Sequence, residues 1–179
     1  MTNKIEIAGL KKSFKREIVL HDVNVNFEAG KIHGIIGRNG SGKTVLFKLI
    51  AGFLIPDTGN IRIDGLEMKA TTRREMGVLI EKPGFLDHLS AMKNLSLLAS
   101  IRNQVGQQEI REAISAVGLD PDEPMSGLDK SGVADMRKLF LKLKEEGVTI
   151  LLSSHYAEDI DALCDTVCEM DRGYLTLQE

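Results

Sequence analysis

KIHGIIGRNGSGKTVLFKLIA, Lys31 to Ala51, is the stretch on which the fold turns. It opens with a short apolar run ending in glycine, the pattern of a buried strand, and Lys43 to Ala51 is a helix-forming stretch. Between them Gly37-Arg38-Asn39-Gly40-Ser41-Gly42-Lys43-Thr44 matches G-x-x-x-x-G-K-[ST] in the strand, loop and helix setting that makes the pattern specific. A loop of this kind curls its backbone N–H groups around phosphate oxygens and points the positive end of the helix at them. Lys43 is placed to reach the β- and γ-phosphates, and the Thr44 hydroxyl to ligate magnesium. The expected binding residues are therefore Gly37, Arg38, Asn39, Gly40, Ser41, Gly42, Lys43 and Thr44. The plain alternative, a glycine-rich turn that binds nothing, does not account for the lysine and the hydroxyl at the helix start.

Upstream, KIEIAGLKKSF and IVLHDVNVNF alternate apolar and polar residues with a period of two, which suits antiparallel strands with one wet face. Downstream, the Pro56-Asp57-Thr58-Gly59 turn precedes a strand over Asn60 to Ile63, and Met76 to Ile80 reads as a buried strand. Helical spacing then takes over at Ala91 to Ile101, Gln107 to Val117 with Gly118 as its stop, and Val133 to Glu146. The tail alternates strand Val148 to Leu152, helix Ala157 to Leu163, strand Thr166 to Met170, turn Asp171-Arg172-Gly173 and strand Tyr174 to Leu177. Together these predict an α/β fold: a sheet with helices on both faces, built on the phosphate loop, plus an N-terminal antiparallel β-subdomain.

The chain has 179 residues, 42% of them hydrophobic, which is the size of one domain with one core. A formal charge of −3 offers no global attraction to nucleic acid or to an anionic membrane, so no nucleic-acid partner is expected. No apolar run approaches a bilayer's thickness, and the start MTNKIEIAGL lacks the apolar core of a signal peptide, which predicts a cytoplasmic protein. Cys164 and Cys168 have no companion pair or histidine cluster, so they read as reduced structural thiols.

The loop alone fits kinases, GTPases and recombination ATPases, so residues further along must choose. No N-K-x-D sequence that would read guanine occurs, and neither heptads nor a cysteine cluster points to a DNA-repair ATPase. Asp122-Glu123-Pro124-Met125-Ser126-Gly127-Leu128-Asp129 resembles the Walker B end and D-loop of the ABC ATPases. LLSSHYAEDIDALCDTVCEMDRGYL, Leu151 to Leu175, resembles their switch-histidine segment and closing strands. With the loop as Walker A, the resemblance to an ABC transporter ATP-binding subunit covers nearly the whole chain, residues 1–179 as a single domain.

The resemblance implies a role for each matching residue. Asp122 would hold magnesium through water, Glu123 would polarise the attacking water, and Asp129 would lie at the partner subunit's site. His155 would be the switch that hydrogen-bonds the γ-phosphate as it leaves. Phe14, in KKSFKR, falls where the family usually stacks an aromatic ring on adenine, although a core phenylalanine is an open alternative. GVLIEKPGFLDHLSAMKNL, Gly77 to Leu95, resembles the Q-loop that contacts the membrane subunit, with Glu81 where glutamine is usual. Exporters of lantibiotics and related peptides are similar in carrying glutamate there, which adds a charge close to the magnesium.

One block of the family pattern is absent. The signature sequence (LSGGQ or a relative), the helix after it and the apolar strand leading into the Walker B aspartate have no counterpart. Gly118-Leu119-Asp120-Pro121 runs directly into Asp122-Glu123-Pro124, so the chain is shortened between about 119 and 122. The missing stretch amounts to about 30 residues or more by the size of a βαβ unit. By the resemblance, the lost strand belongs inside the sheet beside the phosphate-loop strand, whose unpaired backbone groups would cost about 1 to 3 kcal/mol each. Ile114 to Asp120 could stand in as a makeshift strand only against its helical spacing.

The implied function is that of an ATP-binding subunit that couples ATP binding and hydrolysis to transport by a separate membrane permease. It would use Mg2+, pair with a second ATP-binding subunit, and sit on the inner face of the membrane. Each subunit of the family supplies its signature to the other's phosphates, and this chain has none to supply. The alternative is thus a remnant that binds nucleotide without turnover.

Overall fold

The computed structural model describes residues 2–68, 76–78, 80, 86, 88–101, 104–118, 120–121, 130–153 and 157–178, with the backbone alone described over 130–136. In chain order the elements are β1 (Asn3–Phe14), β2 (Glu17–Glu28), β3 (Ile32–Ile36), α1 (Lys43–Ile50), β4 (Thr58–Ile63), β5 (Leu66–Glu67), α2 (Ala91–Ser100), α3 (Gln107–Ala116), α4 (Lys130–Glu145), β6 (Ile150–Leu152), α5 (Ala157–Leu163), β7 (Thr166–Asp171) and β8 (Tyr174–Leu177). They fall into two compact units, Met1–Lys82 with Leu143–Glu179, and Pro83–Lys142.

The first unit holds two four-stranded sheets, ordered β2-β1-β4-β5 and β6-β3-β7-β8. The first of these is antiparallel throughout, as the period-two alternation predicts. Ile5, Ile7 and Leu10 of β1 and Leu20, Val23 and Phe27 of β2 turn to one side. There they join Leu46, Leu49 and Ile50 of α1 and Ile35, Cys168 and Met170 of the other sheet in one core. This burial fixes the strand register, because a slip by one residue would put the apolar set in water.

In the second sheet β3 lies between β6 and β7, parallel to both, and β8 returns antiparallel to β7. The lost strand was expected beside the phosphate-loop strand, and here the structure corrects the sequence reading. Both flanks of β3 are occupied, by Ile150 to Leu152 on one side and Thr166 to Glu169 on the other. The phosphate strand therefore keeps its hydrogen bonds. Among the described residues the sheet ends one strand further out, on β6, whose three residues are all half-buried.

A second correction concerns Met76 to Ile80. The described residues 76–78 and 80 are not in a strand, and Met76 and Val78 are exposed. An apolar run becomes a strand only when a neighbour takes its backbone hydrogen bonds.

In the second unit Ala91 and Met92 of α2 pack with Ile110 and Ile114 of α3, as the helical spacing predicts. The buried Asn94 side chain accepts from the N–H of Leu86 (2.8 Å) and donates to the carbonyls of Leu86, Leu89 and Ser90, pinning the entry to α2. Ile114 is helical and Gly118, at φ 74°, ends the helix, so no makeshift strand forms from Ile114 onward. Among the described residues no helix is long and apolar enough to cross a membrane.

Candidate nucleotide-binding site

β3 delivers the chain to Gly37, and α1 takes it up at Lys43. Gly37 has φ 143°, and a Cβ there would come within 2.2 Å of the Met170 carbonyl oxygen at the end of β7. Gly42 has φ 112°, and its Cβ would meet Leu20 Cδ2 at 2.9 Å and the Val19 oxygen at 3.1 Å. Both positions therefore need glycine for close backbone approach, which is why the loop can tuck between β7 and β2.

The loop is built to receive oxygens. Gly42 caps α1 in a left-handed conformation with no side-chain hydrogen bond, leaving first-turn N–H groups without a side-chain acceptor. Ser41 is buried and its Oγ has no hydrogen-bond partner. A buried hydroxyl in that state costs stability unless something fills its site. Lys43 folds back over the loop, its Nζ donating to the carbonyls of Gly37 (2.5 Å) and Arg38 (2.9 Å). Burial lowers the pKa of its ammonium from the ordinary lysine value. An anion in the loop would give that charge a better partner than two neutral carbonyls. The Thr44 side chain at the start of the helix is exposed. A cleft of about 390 Å³ opens beside the loop, lined by Arg38 to Ser41 on one side and Glu169 to Arg172 on the other.

The unpartnered Ser41 hydroxyl, the glycine cradle and the folded-back lysine lie together at the start of α1. The family model described as ABC transporter matches residues 20–138. The chain belongs to the ABC transporter family. It is an ATP-binding subunit of an ABC transporter, and ATP is its nucleotide. It is 32% identical to the uncharacterized ABC transporter ATP-binding protein YybJ of Bacillus subtilis, covering 98% of this chain and 96% of that one. The bacitracin transport ATP-binding protein BcrA of Enterococcus faecalis is 31% identical over 96% of this chain and 67% of its own length. The lantibiotic transport ATP-binding protein SrtF of Streptococcus pyogenes is 29% identical over 98% and 90%. Among solved structures, the dimeric post-hydrolysis ATP-binding cassette MJ0796, bound to ADP and Pi, has the same fold with a TM-score of 0.81, 16% identity and 98% coverage of each chain.

The alignment with YybJ also measures the shortening of this ABC subunit. It runs over 209 positions but draws on only 98% of 179 residues, so about 34 positions have no residue of this chain opposite them.

Phe14 stands at the end of β1, 43% exposed, with Lys12 Nζ 5.5 Å from its ring centre. The ring is therefore exposed rather than part of the core. Glu81, Asp122, Glu123, Asp129 and His155 lie outside the described residues. Cys164 and Cys168 behave as structural thiols: burial pushes both up, Cys164 to about 11 with help from Asp165 and Asp159. Sequence reasoning missed the contribution of the far end of the chain. Met170 and Gly173 touch the loop, and the only trace of this was the Asp171-Arg172-Gly173 turn.

Proposed function

We propose that this subunit binds Mg-ATP at Gly37 to Thr44 and serves a separate membrane permease at the cytoplasmic face of the membrane, the whole of residues 1–179 forming one shortened ATP-binding domain. The observation that carries the reading is the orphaned Ser41 hydroxyl inside the glycine cradle, with Lys43 held over it. The donor set fits magnesium, a hard ion that takes oxygen ligands: the exposed Thr44 hydroxyl, with Asp122 and Glu81 as carboxylates. Magnesium supplies charge neutralisation at the transferred phosphoryl group. In this reading Phe14 stacks on the adenine, Glu123 orients the attacking water and His155 holds the γ-phosphate end of the site. The names of BcrA and SrtF, together with Glu81, support a peptide-antibiotic class of cargo.

A second reading is favoured by the absent block. Two copies of this chain would have no signature sequence to place against either nucleotide, and most catalysis of phosphoryl transfer is electrostatic positioning of that kind. The homodimer then holds ATP without turnover. A second, full-length ATP-binding subunit would complete the site built on this chain's loop.

A thermal melt with and without Mg-ATP, beside Lys43→Ala, tests the binding claim. At 100 times the dissociation constant, ATP should add about 2.7 kcal/mol to the unmutated chain and nothing to the variant. Equal melting with and without ATP would sink it. Phosphate release by the purified chain then separates the two readings.

A further inference from the structure

We infer that the turn between β7 and β8 is a positioning device for the phosphate loop, with Gly173 as its central residue; this rests on the phosphate site proposed above. Gly173 makes two hydrogen bonds in opposite directions. Its N–H donates to the Ser41 carbonyl (2.9 Å), and its own carbonyl accepts from the N–H of His21 on β2 (2.9 Å). One residue thus ties the middle of the loop to the strand that carries Val19 and Leu20 against Gly42.

The position is built for glycine. Its φ is 82°, and a Cβ would come to 2.3 Å from the Val19 carbonyl oxygen and 2.8 Å from His21 Cδ2. Next to it Tyr174 stacks on His21, ring centres 4.7 Å apart and nearly parallel, holding the turn against β2. Three residues earlier the Met170 carbonyl lies where a Cβ of Gly37 would be. The start, middle and end of the loop are therefore each held by backbone from elsewhere: β7, the β7–β8 turn and β2. Ser41 is the residue whose hydroxyl is buried without a partner, so the Gly173 bond fixes the peptide next to the orphaned group. A loop fixed before the ligand arrives binds phosphate without the entropy cost of ordering itself.

The test measures affinity for two probes, Mg-ATP and inorganic tripolyphosphate, by calorimetry below the melting temperature of each variant. Gly173→Ala should weaken both probes by the same factor, about fivefold or more, because one hydrogen bond and the preorganisation it gives are lost at the phosphate end. Phe14→Ala should weaken ATP alone. Gly147→Ala is the control: Gly147 has φ 85° with nothing within 4 Å, so it carries the same backbone strain without the contact and should leave both affinities unchanged. Should Gly173→Ala not fold, Tyr174→Ala decides in its place, with a smaller equal loss for both probes. A merely structural turn predicts lower melting temperatures and unaltered affinities, and that result overturns the inference. An unmutated chain that binds neither probe overturns both the inference and the site, whereas one that binds ATP through Lys43 and ignores the turn variants overturns the inference alone.

Discussion

The two flanks of the phosphate strand β3 are not alike. On one side β7 runs alongside for four residue pairs and β8 covers it, with Cys168 and Met170 almost fully buried. On the other, β6 offers three half-buried residues and is the last strand of its sheet. The flank that touches the loop thus carries two further strands, and the opposite flank, among the described residues, carries one short strand. The backbone support of the loop comes from one flank of the strand alone.

The most damaging way to break this comparison is at the point where β7 meets the loop. Gly37→Ala would drive a Cβ into the Met170 carbonyl and force a side chain into a left-handed φ. It should cost about 4 kcal/mol in urea unfolding and remove the ATP-induced rise in melting temperature. A stable, ATP-responsive variant would mean that the β7 flank does not set the loop.

Packing along the two flanks gives the next largest contrast. Met170→Ala should lose about 3 kcal/mol, and Leu151→Ala on β6 only about 1 kcal/mol, since it is already partly in water. Denaturant midpoints of the two variants measure the asymmetry directly, and equal losses would erase it.

The smallest effect is a pH dependence confined to the intact flank. His33, on β3, is buried, with Nδ1 at 2.6 Å from Thr166 Oγ1 of β7 and Nε2 at 2.9 Å from the Glu28 carbonyl of β2. Burial lowers its pKa from 6.5, against the opposing pull of the Glu28 carbonyl and Asp165. The unfolded chain therefore binds more protons at mildly acid pH. The His33 contribution is whole above about pH 6.5 and is lost as pH falls below it. Burial raises the Asp165 carboxyl, but its bonds to Lys144 and to the Ile32 N–H outweigh that and hold it below its ordinary 3.8, so it stays charged in that range. Urea unfolding at pH 7.5 and 5.5 should show the loss in the unmutated chain and a flatter response in His33→Gln.

Much of the fold was legible because its signals are local. The helices at Ala91, Gln107 and Ala157 begin where their apolar spacing begins, and the strands from Thr166 and Tyr174 follow their turns. Met76 to Ile80 misled because its composition is that of a strand, whereas a strand also needs a neighbour to take its backbone hydrogen bonds, which composition does not report. Phe14 could be read two ways until its exposure was known, since an apolar ring at a strand end looks the same in sequence whether it is core or platform.

By itself the sequence determined the strand, glycine loop and helix of Gly37 to Thr44, the family, and that no signature sequence occurs in it. These are runs of consecutive residues whose meaning depends on order and spacing alone. Only the tertiary structure decided which strands flank β3, that the Ser41 hydroxyl is buried without a partner, and that Gly173 reaches across to Ser41. Those facts join residues far apart along the chain, and a close backbone approach between them depends on how the strands stack rather than on any local pattern.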